Sequence, residues 1–320
     1  MTAADSLRPA TPDDVPACLE VFYAAGDDLA ARNGQPPWPR DPVSLAGLFQ
    51  HLIETDPGRT WVAEGVSPGL TAFGLAHRRE HAWFLAFLFV RPESQGSGLG
   101  RRLVDACLAR DVSELAPSGP QAGLTLAVCA ESTQPISLGL YARYGMLPRV
   151  PLFALRGRLD QSWPASGGGQ LPGALEMQPL AESEAPAHAA DAAQLDRIDR
   201  AVLGYAHGVD HRFWHHARRQ GYLFRRSTSD EAIGYGYVHR SGRLGPVAVT
   251  DPNQLAPIVA RLSASIEAPQ AWQVFVPGPS PALVPLFGAG LRIDEHAVIY
   301  AATGQGPAWD RYIPANYAVL

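Results

Sequence analysis

The chain has 320 residues, 46% of them hydrophobic, and a formal net charge of −5 at pH 7. This length exceeds what one ordinary core holds and predicts two domains. The acidic balance, with no cluster of basic residues, argues against nucleic acid or an anionic membrane surface as a partner.

The first half of the chain alternates between helix-like and strand-like patterns. The segment 82–90 (AWFLAFLFV) is apolar throughout, as expected of a strand that is covered on both faces. This alternation predicts an α/β domain that ends near residue 157. In chain order, the predicted elements are a short strand before a helix cap at Thr11, a helix after that cap, a helix over 43–56, strands over 60–65, 70–78 and 82–90, a helix over 100–115, a strand over 123–131, a helix over 135–146 and a strand over 149–157.

A stretch rich in Gly, Pro and Ser, residues 159–173, is predicted to be a linker. Beyond it the order of elements repeats, which indicates a degenerate internal duplication with a period of roughly 170 residues. The predicted elements there are a strand and helix within 175–195, a helix over 213–220, a meander of strands over 221–227, 232–240 and 243–250, a helix over 254–266, a strand over 271–277, a helix near 281–290 and a strand over 296–302.

The cysteines and the apolar runs bear on the compartment. Cys18, Cys107 and Cys129 are widely spaced and odd in number, which favours reduced thiols over a disulfide framework. The first residues are polar and acidic, and no apolar run approaches the roughly 18 residues of a membrane helix. We therefore expect a soluble cytoplasmic protein, monomeric or homodimeric, with no membrane partner.

A glycine-rich segment, VRPESQGSGLGRRL at 90–103, links an apolar strand to a helix. Its spacing differs from the dinucleotide fingerprint G-x-G-x-x-G, and a phosphate loop of the nucleotide hydrolases would need a Lys that this chain lacks. Without side chains at 96, 98 and 100, successive N–H groups can converge on an anion at the helix N-terminus. Arg101 and Arg102 add positive charge, so a pyrophosphate suits this loop.

Two segments of the first half carry a family resemblance. The loop contains Gln95-x-x-Gly98-x-Gly100, and residues 133–146 read TQPISLGLYARYGM. Together they resemble the GNAT superfamily of acyl-CoA N-acyltransferases, whose second segment reads N-x-x-A-x-x-L-Y-x-x-x-G-F. Gln134, Ser137 and Met146 stand in this chain for the Asn, Ala and Phe of that pattern.

The resemblance implies a fold and a cosubstrate. We expect two tandem GNAT-like domains of the α/β class (α+β, GNAT-type), each with a mixed, mainly antiparallel twisted sheet flanked by helices. Residues 1–158 would be the catalytic domain, and residues 174–320 a degenerate, non-catalytic one. In this family the fourth and fifth strands separate and admit acetyl-CoA. The residues that would contact it are Leu88, Phe89, Val90, Gln95, Gly96, Ser97, Gly98, Leu99, Gly100, Arg101 and Gln134.

The resemblance also implies a general acid. Tyr141 occupies the position of the family's phenol, which protonates the departing thiolate; the alternative is a core aromatic whose hydroxyl is satisfied locally. The backbone N–H groups near residues 88–90 are the natural oxyanion donors. The strand 82–90 carries no carboxylate, so Glu131, just past the fifth strand, is our candidate general base, a solvated strand-end carboxylate being the alternative.

Other reactive side chains receive structural interpretations. His77, Glu80 and His81 are predicted to lie exposed in a hairpin turn, and Cys129 to be a small buried residue rather than a nucleophile.

The second half lacks the residues of this chemistry. The counterpart of the glycine loop reads TDPNQLAPIVARL, in which Pro252 has no N–H and Asp251 would repel phosphate. Leu286 stands where Tyr141 stands in the first half. The histidines at 207, 211 and 215 are spaced by four, but Gly208 interrupts them, so we interpret them as surface or capping residues and expect no metal.

These observations predict an acetyltransferase that acts on a primary amine of a small molecule. The alternative is a non-catalytic acyl-CoA-binding sensor or structural protein on the same scaffold.

Overall fold

The computed structural model describes residues 5–65, 69–115, 123–160, 163, 175–181, 188–226 and 231–320, with the backbone alone over 112–115. Within these residues the chain forms two compact units. Unit 1 comprises Met1–Cys129, Thr133–Leu147 and Ala302–Gly304, and unit 2 comprises Ala130–Ser132, Pro148–Ala301 and Gln305–Leu320. None of the described helices is both long enough and apolar enough to cross a bilayer.

Unit 1 contains a five-stranded sheet in the order β1-β2-β3-β4-β5. Neighbouring strands are antiparallel, except that β4 and β5 run parallel. Its elements, in chain order, are β1 (Ser6–Pro9), α1 (Val15–Arg32), α2 (Pro42–Thr55), β2 (Thr60–Glu64), β3 (Leu70–Arg79), β4 (Ala82–Val90), α3 (Leu99–Leu115), β5 (Thr125–Glu131) and α4 (Pro135–Ala142).

The helices of unit 1 cover both faces of this sheet. Because side chains alternate along a strand, Phe73 meets Phe49 of α2, while its neighbour Gly74 faces α3. A Cβ added at Gly74 would lie 3.0 Å from the Cys107 sulfur, so the missing side chain lets α3 approach the sheet closely. Beside β5, Thr303 donates its N–H to the Leu126 carbonyl (2.9 Å), so a segment from the end of the chain completes this unit.

Unit 2 has the same pattern of strand pairing as unit 1. Strands β7, β8, β9 and β10 form an antiparallel meander, and β11 then joins β10 in parallel, as β5 joins β4. Strand β6 pairs antiparallel with β11; β12 and β13 lie beside β6, and β14 pairs with β10. The elements are β6 (Leu147–Gly157), β7 (Leu175–Pro179), α5 (His188–Val202), α6 (Gly208–His216), β8 (Gln220–Arg226), β9 (Ala232–Val238), β10 (Arg243–Val249), α7 (Leu255–Ser263), β11 (Trp272–Pro277), α8 (Leu283–Gly288), β12 (Arg292–Ile293), β13 (Val298–Ala302) and β14 (Tyr312–Ile313).

This architecture confirms the predicted fold class, and most predicted elements are present. The helix predicted over 213–220 instead spans Gly208–His216, because Gln220 already opens β8. The short strands β12 and β14 were not predicted. Most of the predicted linker, 159–173, lies outside the described residues; within it, Trp163 is buried in the core of unit 2.

Candidate functional site

Strands β4 and β5 separate partway along their length. Their pairing begins at Ala82–Thr125 and ends at Leu85–Val128. The next residue of β4, Ala86, is skipped in the pairing with β3, which marks a β-bulge. A bulge adds local twist to a strand. It therefore turns residues 87–90 away from β5 at the point where the parallel pairing stops.

The exposed edge of β4 offers alternate amide groups. Arg91 donates its N–H to a carbonyl of β3 at 2.8 Å, so Phe89, two residues earlier, also faces β3. Leu88 and Val90 consequently direct their backbone groups away from β3, towards the opening beside β5. The Gln95 side chain confirms this direction, because its Nε2 donates to the Val90 carbonyl at 3.1 Å.

The glycine loop follows β4 and begins α3. A short 3₁₀ turn, Pro92–Ser94, precedes it, and Gly96 and Gly98 adopt φ angles of +79° and +83°. A Cβ added at either glycine would meet no atom within 4 Å, so the backbone there is openly accessible. None of the N–H groups of residues 96–101 donates a hydrogen bond to a described residue. Consecutive free donors at a helix N-terminus are an arrangement suited to an anion, and residues 96–101 are called the nest below.

The side chains of Ser97, Arg101 and Arg102 differ in how closely neighbouring groups hold them. The Ser97 hydroxyl donates to a carbonyl of the 3₁₀ turn at 2.7 Å and so braces the loop. Arg102 donates to the Asp5 carbonyl at 2.8 Å. Arg101 is 66% exposed and meets Asp105 only at 3.9 Å. Arg101 is therefore the loop guanidinium most available to a bound anion.

Helix α4 carries Tyr141 within the same unit. Gln134 is its N-cap residue, and the Gln134 carbonyl accepts a hydrogen bond from the Ser137 hydroxyl at 2.9 Å. Gly145, with φ of +79°, ends the turn that follows the helix. Tyr141 is 5% exposed, and burial raises the pKa of its phenol, with no charged neighbour contributing. The phenol is therefore protonated at neutral pH.

The loop, β4 and α4 meet at Gly100. A Cβ added at Gly100 would lie 3.7 Å from Leu140 and 3.9 Å from both Leu88 and Val90. Tyr144 also connects the two helices, since its hydroxyl donates to a carboxylate of α3 at 2.6 Å. The residue before Tyr141 thus contacts the start of the helix that presents the nest.

The end of α1 reaches the same region. Asn33 donates its side-chain amide to the Thr133 hydroxyl at 3.1 Å, just before α4. The Arg32 guanidinium lies 3.5 Å from the Gln95 amide oxygen. The segment between α1 and α2 therefore begins beside both the glycine loop and the start of α4.

Trp38 of this segment belongs to an aromatic cluster. Trp38 packs 5.1 Å from Phe22 and 6.1 Å from Phe89, measured between ring centroids. All three rings are partly exposed, whereas the remaining members lie deeper. The deeper rings are Phe49, Phe73 and Phe87. Gly26 on α1 leaves room for the indole, because a Cβ there would lie 2.4 Å from Trp38.

Glu131 ends β5 and is partly buried. Burial and the nearby charge of Glu295 raise the pKa of its carboxyl to about 7. A carboxylate that ionises near neutral pH suits proton abstraction.

The remaining predicted side chains fall in different environments. His81 is exposed, whereas His77, predicted to be exposed, is buried on β3 and stacks on Phe84 at 5.4 Å. Glu80 is exposed in the hairpin turn at φ of 50°. Cys18, Cys107 and Cys129 form no disulfide with one another; Cys18 and Cys107 are buried, and Cys129, predicted to be buried, is partly exposed.

The second unit reproduces the local backbone of this site without its chemistry. Met146 donates its N–H to the Tyr141 carbonyl, and Leu291 donates in the same way to the Leu286 carbonyl. Gly145 and Gly290 both have positive φ. Leu286 is thus the structural counterpart of Tyr141, with an apolar side chain in place of the phenol.

The counterpart of the glycine loop is also different. The 3₁₀ turn Pro252–Gln254 runs directly into α7 at Leu255, with no glycine between them. The Asp251 carboxylate accepts the Asn253 N–H at 3.0 Å and so occupies the helix start.

The histidines of α6 are not all at the surface. His207, the N-cap residue, is 1% exposed and His211 is 6% exposed, whereas His215 and His216 are exposed. The expectation of surface or capping histidines therefore fails for His211, which lies inside unit 2.

Comparisons with known proteins agree with this architecture. Residues 24–146 match the model of the acetyltransferase (GNAT) family. A putative acetyltransferase from Pyrococcus horikoshii has 15% sequence identity and a TM-score of 0.70, over 100% of this chain and 97% of that chain. A GCN5-related N-acetyltransferase from Sphaerobacter thermophilus has 16% identity and a TM-score of 0.61, over 95% and 96%.

The duplicated arrangement also has a solved counterpart. A tandem GNAT protein from the clavulanic acid biosynthesis pathway has 13% identity and a TM-score of 0.53, over 95% of this chain and 99% of that chain. No curated protein sequence matches the chain. At these identities the structural likeness shows the fold, and the family match shows the kind of domain. Residues 24–146 therefore match the acetyltransferase (GNAT) family, and over its length the chain has the fold seen in a tandem GNAT protein.

Proposed function

We propose that this protein transfers the acetyl group of acetyl-CoA to a primary amine of a small molecule. The GNAT family performs acyl transfer from acyl-CoA; the acetyl group, the amine and the residue roles below are our assignment. The observation that carries it is the row of free N–H groups at 96–101, beside the part of β4 that lies beyond its pairing with β5. We assign catalysis to residues 1–158 and no second acetyltransferase site to residues 174–320.

The nest binds the diphosphate of the cosubstrate. Backbone N–H groups from Gly96 to Arg101 donate to its oxygens, and the α3 dipole and the Arg101 guanidinium add favourable charge. The pantetheine arm pairs with the exposed amides of Leu88 and Val90 as an added strand. This pairing satisfies backbone groups that would otherwise be costly to bury. Gln134, at the start of α4, completes the set of cosubstrate contacts.

The reaction is a direct attack of the amine on the thioester. The amine nitrogen forms a bond to the carbonyl carbon, and the oxygen takes up the negative charge, which a β4 N–H stabilises. The carbon–sulfur bond then breaks, Tyr141 gives its proton to the departing thiolate, and the nitrogen loses its second proton, which through solvent restores the phenol. The raised pKa of Tyr141 supports this role, because the group must be protonated before transfer.

The amine must lose a proton to react, since an alkyl ammonium has a pKa near about 10. Glu131 is our candidate base, acting directly or through one water. Its pKa of about 7 leaves it largely ionised in mildly alkaline solution, yet basic enough to take a proton.

The acceptor is a small amine with an apolar part. Trp38, in the segment between α1 and α2, packs against Phe22 and Phe89, and all three rings are partly exposed. Such rings bind apolar or aromatic groups through buried area and leave the amine free to reach the thioester.

A library assay tests this proposal. The full chain is mixed with acetyl-CoA and a panel of amino acids, arylalkylamines, polyamines and aminoglycoside-like compounds, and released thiol and acetylated product are measured together. We expect thiol release matched by product for an amine with an apolar group. Binding of acetyl-CoA without thiol release for any amine would instead support the non-catalytic sensor.

A further inference from the structure

A buried cluster in unit 2 joins two histidines to one carboxylate. Asp199 of α5 is fully buried, and its Oδ2 lies 3.0 Å from His211 Nε2 and 3.5 Å from His207 Nε2. One ligand atom from each of these three residues can be chosen so that all lie within 4.8 Å of one another. Ligands of a tetrahedral zinc ion, each about 2.0–2.2 Å from the metal, are roughly 3.3 Å apart. The two separations between Asp199 Oδ2 and the histidine nitrogens, 3.0 and 3.5 Å, bracket that value.

Neighbouring hydroxyls hold these donors in orientation. Tyr237 lies 2.8 Å from His211 Nδ1, the ring nitrogen that does not face Asp199. Tyr235 donates to the other oxygen of Asp199 at 2.8 Å and lies 3.5 Å from His207 Nε2. Both tyrosines are on one face of β9, two residues apart. Hydrogen-bond partners of this kind characteristically fix the tautomer and ring direction of metal-binding histidines.

An open cleft reaches one member of the cluster, His211. A cleft of about 160 Å³ is lined by His211 and Tyr237, together with Gly208, at the start of α6. Asp191, Asp196 and His188 line the same cleft. Polar side chains therefore lead from the surface as far as His211, whereas Asp199 and His207 lie behind it, 0% and 1% exposed.

We propose that Asp199, His207 and His211 bind one divalent transition-metal ion, of which Zn²⁺ is the test case. Two imidazoles and one carboxylate are a donor set typical of such ions, with a further position left for water or the Tyr235 hydroxyl. The ion would connect α5 to the start and middle of α6 and so stabilise unit 2. This site is independent of the acetyl-transfer chemistry assigned to residues 1–158.

Metal analysis of the full chain tests the proposal. The protein is stripped with a chelator, incubated with Zn²⁺, dialysed and analysed for metal, and its melting temperature is recorded with and without Zn²⁺. We expect about one retained Zn²⁺ per chain and a higher melting temperature, because an ion that binds only the folded state stabilises it. No retained metal and no thermal shift would overturn the proposal and leave a hydrogen-bonded cluster.

Single substitutions test which residues bind the ion. His211→Gln is expected to abolish retention, and His215→Gln is the matched control, an exposed histidine on the same helix and the same cleft. Tyr237→Phe should weaken Zn²⁺ binding about 10–100-fold, as loss of a supporting hydrogen bond does. Should His211→Gln fail to fold, Co²⁺ added to the wild-type chain must give the intense visible bands of a tetrahedral site. Absence of those bands, or loss of Zn²⁺ in His215→Gln alone, would contradict the assignment.

Discussion

Burial gives two side chains of the first half properties that suit opposite steps of proton transfer. It raises the pKa of the Tyr141 phenol, which keeps that group protonated, and raises the pKa of Glu131 to about 7, which makes that group a base near neutral pH. Burial favours the protonated form of both groups, and the two differ in the pH at which each ionises.

Tyr141→Phe removes the proposed acid without removing the ring. We expect kcat to fall about 10²–10⁴-fold, because the thiolate then leaves without a positioned proton. Affinity for acetyl-CoA should change little, since the nest is untouched. Steady-state kinetics with the best amine and titration with acetyl-CoA measure the two quantities.

Tyr144→Phe is the matched control for that experiment. Tyr144 lies three residues further on and donates to Asp105, outside the proposed chemistry. Its loss should leave kcat within about twofold, because Tyr144 takes no part in the proposed proton transfer. An unchanged kcat in Tyr141→Phe would remove Tyr141 from the mechanism.

Glu131→Gln tests the base through pH. In the wild type the rate should rise with pH and level off above about 7, as the carboxyl ionises, and the variant should lose this rise. Glu295→Gln is the control: it removes a charge that raises the pKa of Glu131, so the rise should move to lower pH and persist. A wild-type rate profile that Glu131→Gln leaves intact would exclude Glu131 as the base.

The same carboxyl makes stability depend on pH with a definite sign. Its pKa rises from 4.5 to about 7 on folding, so the stabilisation from its tighter proton is complete below 4.5 and is lost as pH rises through 7. Glu131→Gln should therefore be more stable than wild type at pH 8, by about 1–3 kcal/mol, and nearly equal to it at pH 4.5. Denaturant unfolding at the two pH values measures this difference.

At the scale of elements, the backbone of the glycine loop matters more than its side chains. Gly98→Ala places a side chain at φ of +83°, which is strained, and turns the N–H groups of the nest. We expect acetyl-CoA affinity to fall at least about tenfold, as for a loss of 1.4 kcal/mol or more. Isothermal titration measures it.

Substitutions at two other glycines distinguish the effect of backbone strain from the loss of acetyl-CoA binding. Gly69 also has a positive φ, +107°, and open space around it, but it precedes β3 and supplies no N–H to the nest, so Gly69→Ala should lose stability and keep its affinity. Gly100 has an ordinary φ, and an added Cβ would make only normal contacts, so Gly100→Ala should bind. Equal affinities in Gly98→Ala and wild type would contradict the nest.

A substitution in α1 tests whether the segment between α1 and α2 contributes to acceptor binding. Gly26→Ala drives a methyl group against Trp38 and should raise the acceptor KM while acetyl-CoA affinity stays constant. Overpacking of this kind costs about 1–3 kcal/mol of stability. Gly47→Ala in α2, where the added Cβ meets nothing within 4 Å, is the control and should be neutral or slightly stabilising. An unchanged KM in Gly26→Ala would place the acceptor elsewhere.

Local sequence patterns predicted most helices and strands, because each depends on its own periodicity and turn residues. The strand 82–90 and the helix near 100–115 were read correctly from such patterns. The bulge at Ala86 was not predicted, since nothing in a uniformly apolar strand marks which residue is skipped. The burial of His77 also escaped prediction, because it depends on which face of β3 the sheet covers.

At the scale of the whole molecule, contacts between distant segments are the features that the sequence did not predict. Residues 302–304 join unit 1 through Thr303 and Leu126, and residues 148–157 join unit 2 through pairing with β11. Such pairings leave no local trace in the sequence. The spacing of His207 and His211 likewise gave no sign of Asp199, because that ligand comes from another helix.

The two halves share an order of strands and differ in their chemistry. Each has an antiparallel meander followed by one parallel pair, but the second has Leu286 in place of Tyr141 and no glycine between the 3₁₀ turn and α7. The duplication therefore supplies two scaffolds, and we assign a single acyl-CoA site to them.

Calorimetric titration of the full chain with acetyl-CoA tests this account most directly. We predict saturable binding at a stoichiometry of about one per chain, weakened by Gly98→Ala and retained by Gly69→Ala. An absence of heat at millimolar acetyl-CoA, or binding that Gly98→Ala leaves unchanged, would contradict it.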